Sequence, residues 1–162
     1  MLIVLQLILF CALYIGLVKL YVPHKALEGI FFYPAEFQAR AVEKGLVSQE
    51  YIDKRKKLFM APFMLAILIS LILIIGLWNG VRDFGTAYWQ AVLFLEVVNW
   101  FDGFVIDLLW VGHSKIWRIE GMEGVPYGKP WRMVYTKRSA ATALYLLVAA
   151  AVGGIVVLIG KI

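Results

Sequence analysis

Four long apolar stretches dominate this 162-residue sequence and leave it few ways to fold. They are residues 2–22, 58–78, 84–111 and 139–160. About 20 mostly apolar residues are enough for a helix to cross the hydrocarbon core of a bilayer. Charged residues make up only 17% of the chain, against about a quarter in soluble domains. The sequence therefore predicts an all-α integral membrane protein, with four transmembrane helices in a single domain over residues 1–162.

A secretory signal peptide is the alternative interpretation of the first stretch. This stretch has no positively charged start, and no small-residue cleavage site follows its long apolar run. We therefore expect it to be retained as a membrane helix. Cys11, which lies within it, is the only cysteine, so a disulfide bond inside the chain is excluded.

Basic residues are concentrated in two predicted loops, residues 23–57 and 112–138. With Lys19 at the edge of the first loop counted, these loops hold all of the 16 lysines and arginines except Arg82 and Lys161. Loops rich in lysine and arginine stay on the cytoplasmic side of a membrane, beside anionic lipid headgroups. We therefore expect both termini to lie outside the cell. The membrane is expected to be the plasma membrane of a bacterium or an archaeon.

A short amphipathic helix is predicted inside the first loop, between Pro34 and Lys44. Proline favours the first position of a helix, and a glycine such as Gly45 favours its end. Charged residues gather on one side of the helical wheel, and apolar residues cover the rest. We expect this helix to lie on the inner membrane surface, between the first two transmembrane helices. The expected membrane anchors are aromatic: Phe37 and the adjoining Phe31, Phe32 and Tyr33.

The second predicted loop alternates aromatic and basic residues. Such a pattern can bind single-stranded nucleic acid. Beside a membrane it is more typical of an aromatic belt, with cationic side chains that reach the lipid headgroups. We therefore expect the loop to contact anionic lipid and no nucleic acid. The predicted headgroup-binding residues are Arg118, Arg132, Lys137 and Arg138.

The third predicted transmembrane helix is unusual because it carries three carboxyl groups and an amide. These are Glu96, Asn99, Asp102 and Asp107. At 100° per residue, Glu96, Asn99 and Asp107 fall within one arc of the helix, whereas Asp102 points away from it. A charge at the bilayer centre costs at least ~2.5 kcal/mol. These side chains should therefore face a shared polar site inside the protein.

We predict a ligand-binding pocket that opens to the cytoplasm at the inner end of this helix. Its deep end would hold Glu96 and Asn99, and its mouth Asp107. The two histidines would form its rim, because both lie at helix ends predicted to emerge on the cytoplasmic side. The full predicted set is Glu96, Asn99, Asp102, Asp107, Trp110, His113 and His24.

Three functions fit such a pocket. The first is binding or moving a cation, a proton or a small solute, with the chain acting as a homo-oligomer or with a membrane partner protein. The second is a membrane enzyme that acts on an anionic lipid or prenyl phosphate. Its divalent metal would be held by Asp102, Asp107 and His113. The third is a purely structural network of hydrogen bonds between helices.

The last predicted helix carries two pairs of small residues spaced four apart, Ala149 with Gly153 and Ala150 with Gly154. Small residues at this spacing allow two helix backbones to approach closely. The approach could occur within one chain or between two chains, and the sequence favours neither.

Overall fold

The structure, a computed structural model, describes residues 2–21 and 26–161. Every regular element in these ranges is helical. The long helices are α1 (Leu2–Tyr21), α3 (Gln49–Ile72), α4 (Phe84–Phe101) and α5 (Trp131–Ile159). A π-helical extension of α3 covers Leu73–Trp78, and a second π-helical stretch, here called the π segment, continues α4 over Asp102–Val111. The short elements are a 3₁₀ helix over Ala26–Phe32, α2 (Ala35–Glu43) and a 3₁₀ turn over Lys115–Trp117.

Three helices are long and apolar enough to cross a membrane, namely Leu2–Leu20, Gln49–Trp78 and Trp131–Ile159. They correspond to the first, second and fourth predicted stretches and are compatible with a membrane location. Large apolar side chains are exposed along them, such as Leu147, which is 71% exposed. α4 with the π segment also forms a long helix at the third predicted stretch, but its carboxyl and amide groups lower its mean hydropathy.

Two helices begin earlier than hydropathy predicts. α3 begins at Gln49, as a helix capped by Ser48 predicts: the Ser48 hydroxyl accepts a hydrogen bond from the backbone N–H of Tyr51 at 3.1 Å. A serine in this position satisfies one of the free N–H groups of the first turn. α5 begins at Trp131 rather than 139, directly after Pro130. Residues 49–57 and 131–138, which lie in the two basic loops, are therefore helical.

The bundle is held together by close packing of α4 against α5 and α1. The ring of Phe10 on α1 meets the ring of Phe94 on α4 edge-on, with 5.4 Å between centroids. A Cβ atom added to Gly153 would lie 3.3 Å from the Phe84 ring and from the backbone nitrogen of Tyr88. The Ala149–Gly153 pair therefore serves the contact between α4 and α5 within one chain. A Cβ atom at Gly154 would have no neighbour within 4 Å.

The loop segments pack into a compact cap at the end of the bundle where α3 and α5 begin, here called the basic end. Phe37 and Tyr33 are only 2% and 3% exposed, because Tyr127 and Trp117 from the second loop cover them. Tyr33 donates a hydrogen bond of 2.5 Å to the carbonyl of Trp117. Burial, with a smaller contribution from Tyr127, raises the pKa of Tyr33 well above its usual range, so this hydroxyl stays protonated.

Two predictions about this region are wrong about what covers the aromatic side chains. The amphipathic helix exists as α2, and Gly45 follows its end with φ +70°. Its supposed lipid anchors Phe37 and Tyr33, however, lie inside the protein. Trp117, expected in an aromatic belt, is fully buried. In each case the contact that covers the side chain comes from the other loop, far away in sequence.

Candidate functional site

The π segment brings Asp102 and Asp107 to one side of the helix, facing Arg138 of α5. Arg138 Nη1 lies 2.5 Å from Asp102 Oδ2, and Nη2 lies 2.5 Å from Asp107 Oδ2. In a π-helix the backbone bonds join residues five apart, so residues at that spacing are neighbours. The prediction that Asp102 points away from Asp107 is wrong, because it assumed the α-helical period through this segment.

Lys129 completes the charged cluster. Its Nζ contacts Asp107 Oδ1, and its side chain is only 7% exposed. Lys129 stands directly before Pro130, where α5 begins, so the start of this helix fixes its position. Two carboxylates are thus paired with two cations in a largely buried site, which offsets much of the cost of burying each charge.

Gly103 makes the contact between Arg138 and the π segment possible. A Cβ atom at Gly103 would lie 3.1 Å from Arg138 Cγ and 3.1 Å from Val134 Cγ1. Both distances are shorter than ordinary contacts, so a side chain here would push Arg138 away from the aspartates. The space beside Gly103 is therefore filled by side chains of α5.

The cluster continues toward the middle of the bundle through Thr142 of α5. Asn99 Nδ2 donates to the carbonyl of Arg138 at 3.0 Å, and the Thr142 hydroxyl donates to Glu96 Oε2 at 2.8 Å. Asn99 Nδ2 also lies 3.4 Å from the Thr142 oxygen. Glu96 and Asn99 are thus joined through Thr142. The result is a continuous polar network from Glu96 to Lys129 along the contact between α4 and α5.

Lys129 and Thr142 were missed by the sequence analysis, although a signal for Thr142 was present. Starting α5 at Pro130 places Val134, Arg138 and Thr142 four residues apart, on one helical face. Hydropathy hid this pattern because it placed the start of the helix after Arg138. For Lys129 the sequence holds no comparable signal, since the residue precedes the helix.

The structure places the remaining predicted pocket residues elsewhere. Trp110 packs edge-on against Trp117, with 5.4 Å between ring centroids, and Lys19 Nζ lies 5.9 Å from its ring. The exposed His113 makes a 2.7 Å hydrogen bond between Nδ1 and the Leu108 carbonyl. His24 lies outside the described residues. The prediction that Trp110 and His113 join the carboxylates is therefore wrong.

The three predicted metal ligands do not meet at one site either, because His113 lies apart from the two aspartates. Asp102 and Asp107 face Arg138, whereas His113 is exposed and turned toward its own helix. Within residues 2–21 and 26–161 there is no group of three or more histidine, cysteine, aspartate or glutamate side chains that could hold a metal ion.

The four predicted headgroup-binding residues have different environments. Arg132 is exposed on the first turn of α5, and Arg118 lines an open cleft of about 610 Å³ on the cap. Lys137 is exposed and lines a cavity beside the aspartates. The prediction for Arg138 is wrong, because both of its terminal nitrogens are engaged by Asp102 and Asp107.

The cavity beside the charged cluster has a volume of about 260 Å³ and two contrasting walls. The charged wall consists of Asp102, Asp107, Lys129, Lys137 and Arg138. The opposite wall is largely apolar and includes Phe31, Phe32, Phe59, Met60 and Phe63. The Tyr14 hydroxyl completes the lining beside Asp102. Such a cavity suits a ligand that has one charged end and one apolar part.

Comparison with known proteins gives no relative for this chain. No protein-family model matches it, and neither a curated protein nor a solved structure is significantly similar to it. Its function must therefore be argued from the site itself.

Proposed function

We propose that this chain is an integral membrane protein in which α4 with the π segment forms a fourth transmembrane helix. Its two most deeply buried polar groups, Asn99 and Asp107, are 1% and 2% exposed and face the protein. Large apolar side chains such as Trp89 and Leu109 are 66% and 62% exposed on its outer surface. A helix with this distribution keeps its polar groups inside the protein and presents an apolar surface to lipid. The basic end is cytoplasmic, and both termini are outside.

Cysteine labelling in intact cells tests this topology. In a Cys11→Ser background, Lys161→Cys is expected to react with a membrane-impermeant maleimide from outside. Glu43→Cys, exposed at the end of α2, is expected to react only after the cells are broken. Labelling of Glu43→Cys in intact cells, or protection of Lys161→Cys, would contradict the proposed orientation.

The site itself binds a small anionic ligand in the cavity beside Asp102 and Asp107. The observation that carries this proposal is the charged wall, where three cations face two carboxylates that already have cationic partners. Within the described residues Lys137 makes no ion pair, and it lines the cavity. An anion can pair with Lys137 directly, whereas a cation or proton would have to displace Arg138 or Lys129 from the aspartates. The geometry therefore favours an anion over the cation or proton expected from sequence.

Binding of a soluble phosphate monoester tests the proposal. Glycerol 3-phosphate is titrated by calorimetry into the full chain in a neutral detergent, and saturable binding is expected. Lys137→Gln should weaken it at least about tenfold, since a hydrogen bond to a charged group contributes about 1.5–3 kcal/mol.

Arg132→Gln is the matched control, because Arg132 is an exposed cation on the same helix and does not line the cavity. Equal weakening by both substitutions would mean diffuse attraction to surface charge. Absence of saturable binding in the wild type would leave the network a structural one. Tighter binding of Mg²⁺ than of the phosphate would restore the cation hypothesis.

A further inference from the structure

The cavity has an opening on the side of the bundle, between α3 and α5. Of its lining residues, Met60 on α3 is 40% exposed and Lys137 on α5 is also exposed. Phe31 and Phe32 of the cap and Lys129 of the second loop close the cavity toward the basic end. With α3 and α5 crossing the membrane as proposed, this opening would face the bilayer at the level of Met60 and Lys137.

Two lysine side chains, Lys129 and Lys137, line the cavity at this opening, and Lys56 lies near Lys137. The charges of Lys129, Arg138 and, more weakly, Lys56 repel Lys137, and that of Asp107 attracts it. Lys129 has Asp107 as a partner, whereas Lys56 and Lys137 make no ion pair within the described residues. The cations around Lys137 therefore outnumber the one carboxylate that acts on it, and a bound anion would offset this excess of positive charge. The arrangement is therefore suited to a phosphate-sized group at the depth of the lipid headgroups.

The apolar wall continues from the opening along α3. Phe59 and Phe63 are buried in the lining of the cavity, whereas Met60 and Met64, one turn apart, are 40% and 38% exposed on the outer surface of α3. On α5, Ala141 follows Lys137 by one turn and also lines the cavity. Its small side chain leaves space on this side of the opening, beyond the lysine. A hydrocarbon chain can lie against these side chains without meeting a polar group.

We infer that the ligand is a membrane lipid with a phosphate-bearing headgroup, which enters sideways between α3 and α5. The phosphate lies among Lys56, Lys129 and Lys137, and the hydrocarbon chain runs along α3 into the bilayer. This inference rests on the proposed anion site and names its ligand class. The volume supports it, since about 260 Å³ is less than the ~300–1,000 Å³ of sites that enclose a whole drug-sized molecule. The cavity holds a headgroup, and the chain stays in the membrane.

Blocking the opening separates a lipid from a soluble phosphate. Native mass spectrometry of the full chain in neutral detergent is used to titrate phosphatidic acid, and glycerol 3-phosphate is titrated in parallel. Ala141→Trp should weaken phosphatidic acid binding at least tenfold, and the wild type should bind glycerol 3-phosphate at least tenfold more weakly than phosphatidic acid. Met60→Trp, on the other side of the opening, should weaken phosphatidic acid binding in the same way if the first variant folds poorly.

Ala140→Trp is the matched control, because Ala140 is exposed on the neighbouring position of α5 and does not line the cavity. It should bind phosphatidic acid like the wild type. Equal lipid binding in Ala141→Trp and Ala140→Trp, or binding of glycerol 3-phosphate as tight as that of the lipid, would overturn lateral lipid entry and leave the proposed anion site intact. Binding of neither ligand by the wild type would overturn both proposals.

Discussion

Replacing Arg138 with methionine is expected to lower the free energy of unfolding by about 3–5 kcal/mol, the range found when one partner of a buried ion pair is removed. Arg138 contacts both Asp102 and Asp107 and is only 13% exposed at its side chain. Methionine keeps much of the side-chain length but provides no charge. Asp102 then loses its cationic partner, and Asp107 keeps only Lys129. Unfolding of the purified chain by SDS in mixed micelles measures the change.

Arg132→Met is the control for this substitution. It removes the same charge from the same helix at an exposed position, where a change within about 0.5 kcal/mol is expected. A loss of less than 1 kcal/mol for Arg138→Met would mean that the aspartates are neutral or solvated, and that the ion pairs do not form as described.

The second large effect on stability is expected from replacing Asp107. Here a second substitution should restore part of the free energy of unfolding that the first removes. Asp107→Asn deprives Lys129 of its only ion-pair partner in the described part of the chain and leaves Arg138 with Asp102 alone. A loss of about 3–5 kcal/mol follows from the uncompensated buried charge. Adding Lys129→Met removes that charge and leaves one balanced pair, Asp102 with Arg138.

The double variant is therefore expected to be more stable than Asp107→Asn alone. The interaction energy from the double-mutant cycle should be about 0.5–3 kcal/mol, the range for residues in direct contact. The same SDS titration is applied to the wild type, both single variants and the double variant. Simple additivity of the two losses would show that Lys129 and Asp107 do not interact.

The burial of the polar groups in α4 could be predicted from the sequence. A charge exposed to lipid is costly wherever it occurs, so Asn99 and Asp107 were expected to face protein, and both are buried. The partners of these groups depend on local geometry that hydropathy does not report. The π segment changes the helical period between Asp102 and Asp107, and Pro130 starts α5 before the apolar stretch that signals it.

The cap could not be predicted from the sequence either, and the reason differs from that for the partners of the polar groups in α4. Each of its key contacts joins residues from separate loops, such as the edge-on contact of Phe37 with Tyr127 or the hydrogen bond from Tyr33 to the Trp117 carbonyl. An aromatic residue beside a membrane has the same amphipathic character whether it meets lipid headgroups or another loop. Composition therefore pointed to lipid anchors where the protein supplies its own cover.

The pairing of α4 with α5 has a consequence for biosynthesis. Arg138 follows Asp107 by 31 residues, and a ribosome adds roughly 5–20 residues per second. The two aspartates therefore leave the ribosome roughly 2–6 s before the arginine that neutralises them. During that interval the π segment has no cation to pair with in α5, so lipid is an unfavourable environment for it. If α4 is the proposed fourth transmembrane helix, α4 and α5 should consequently enter the bilayer together as a hairpin, after α5 has left the ribosome.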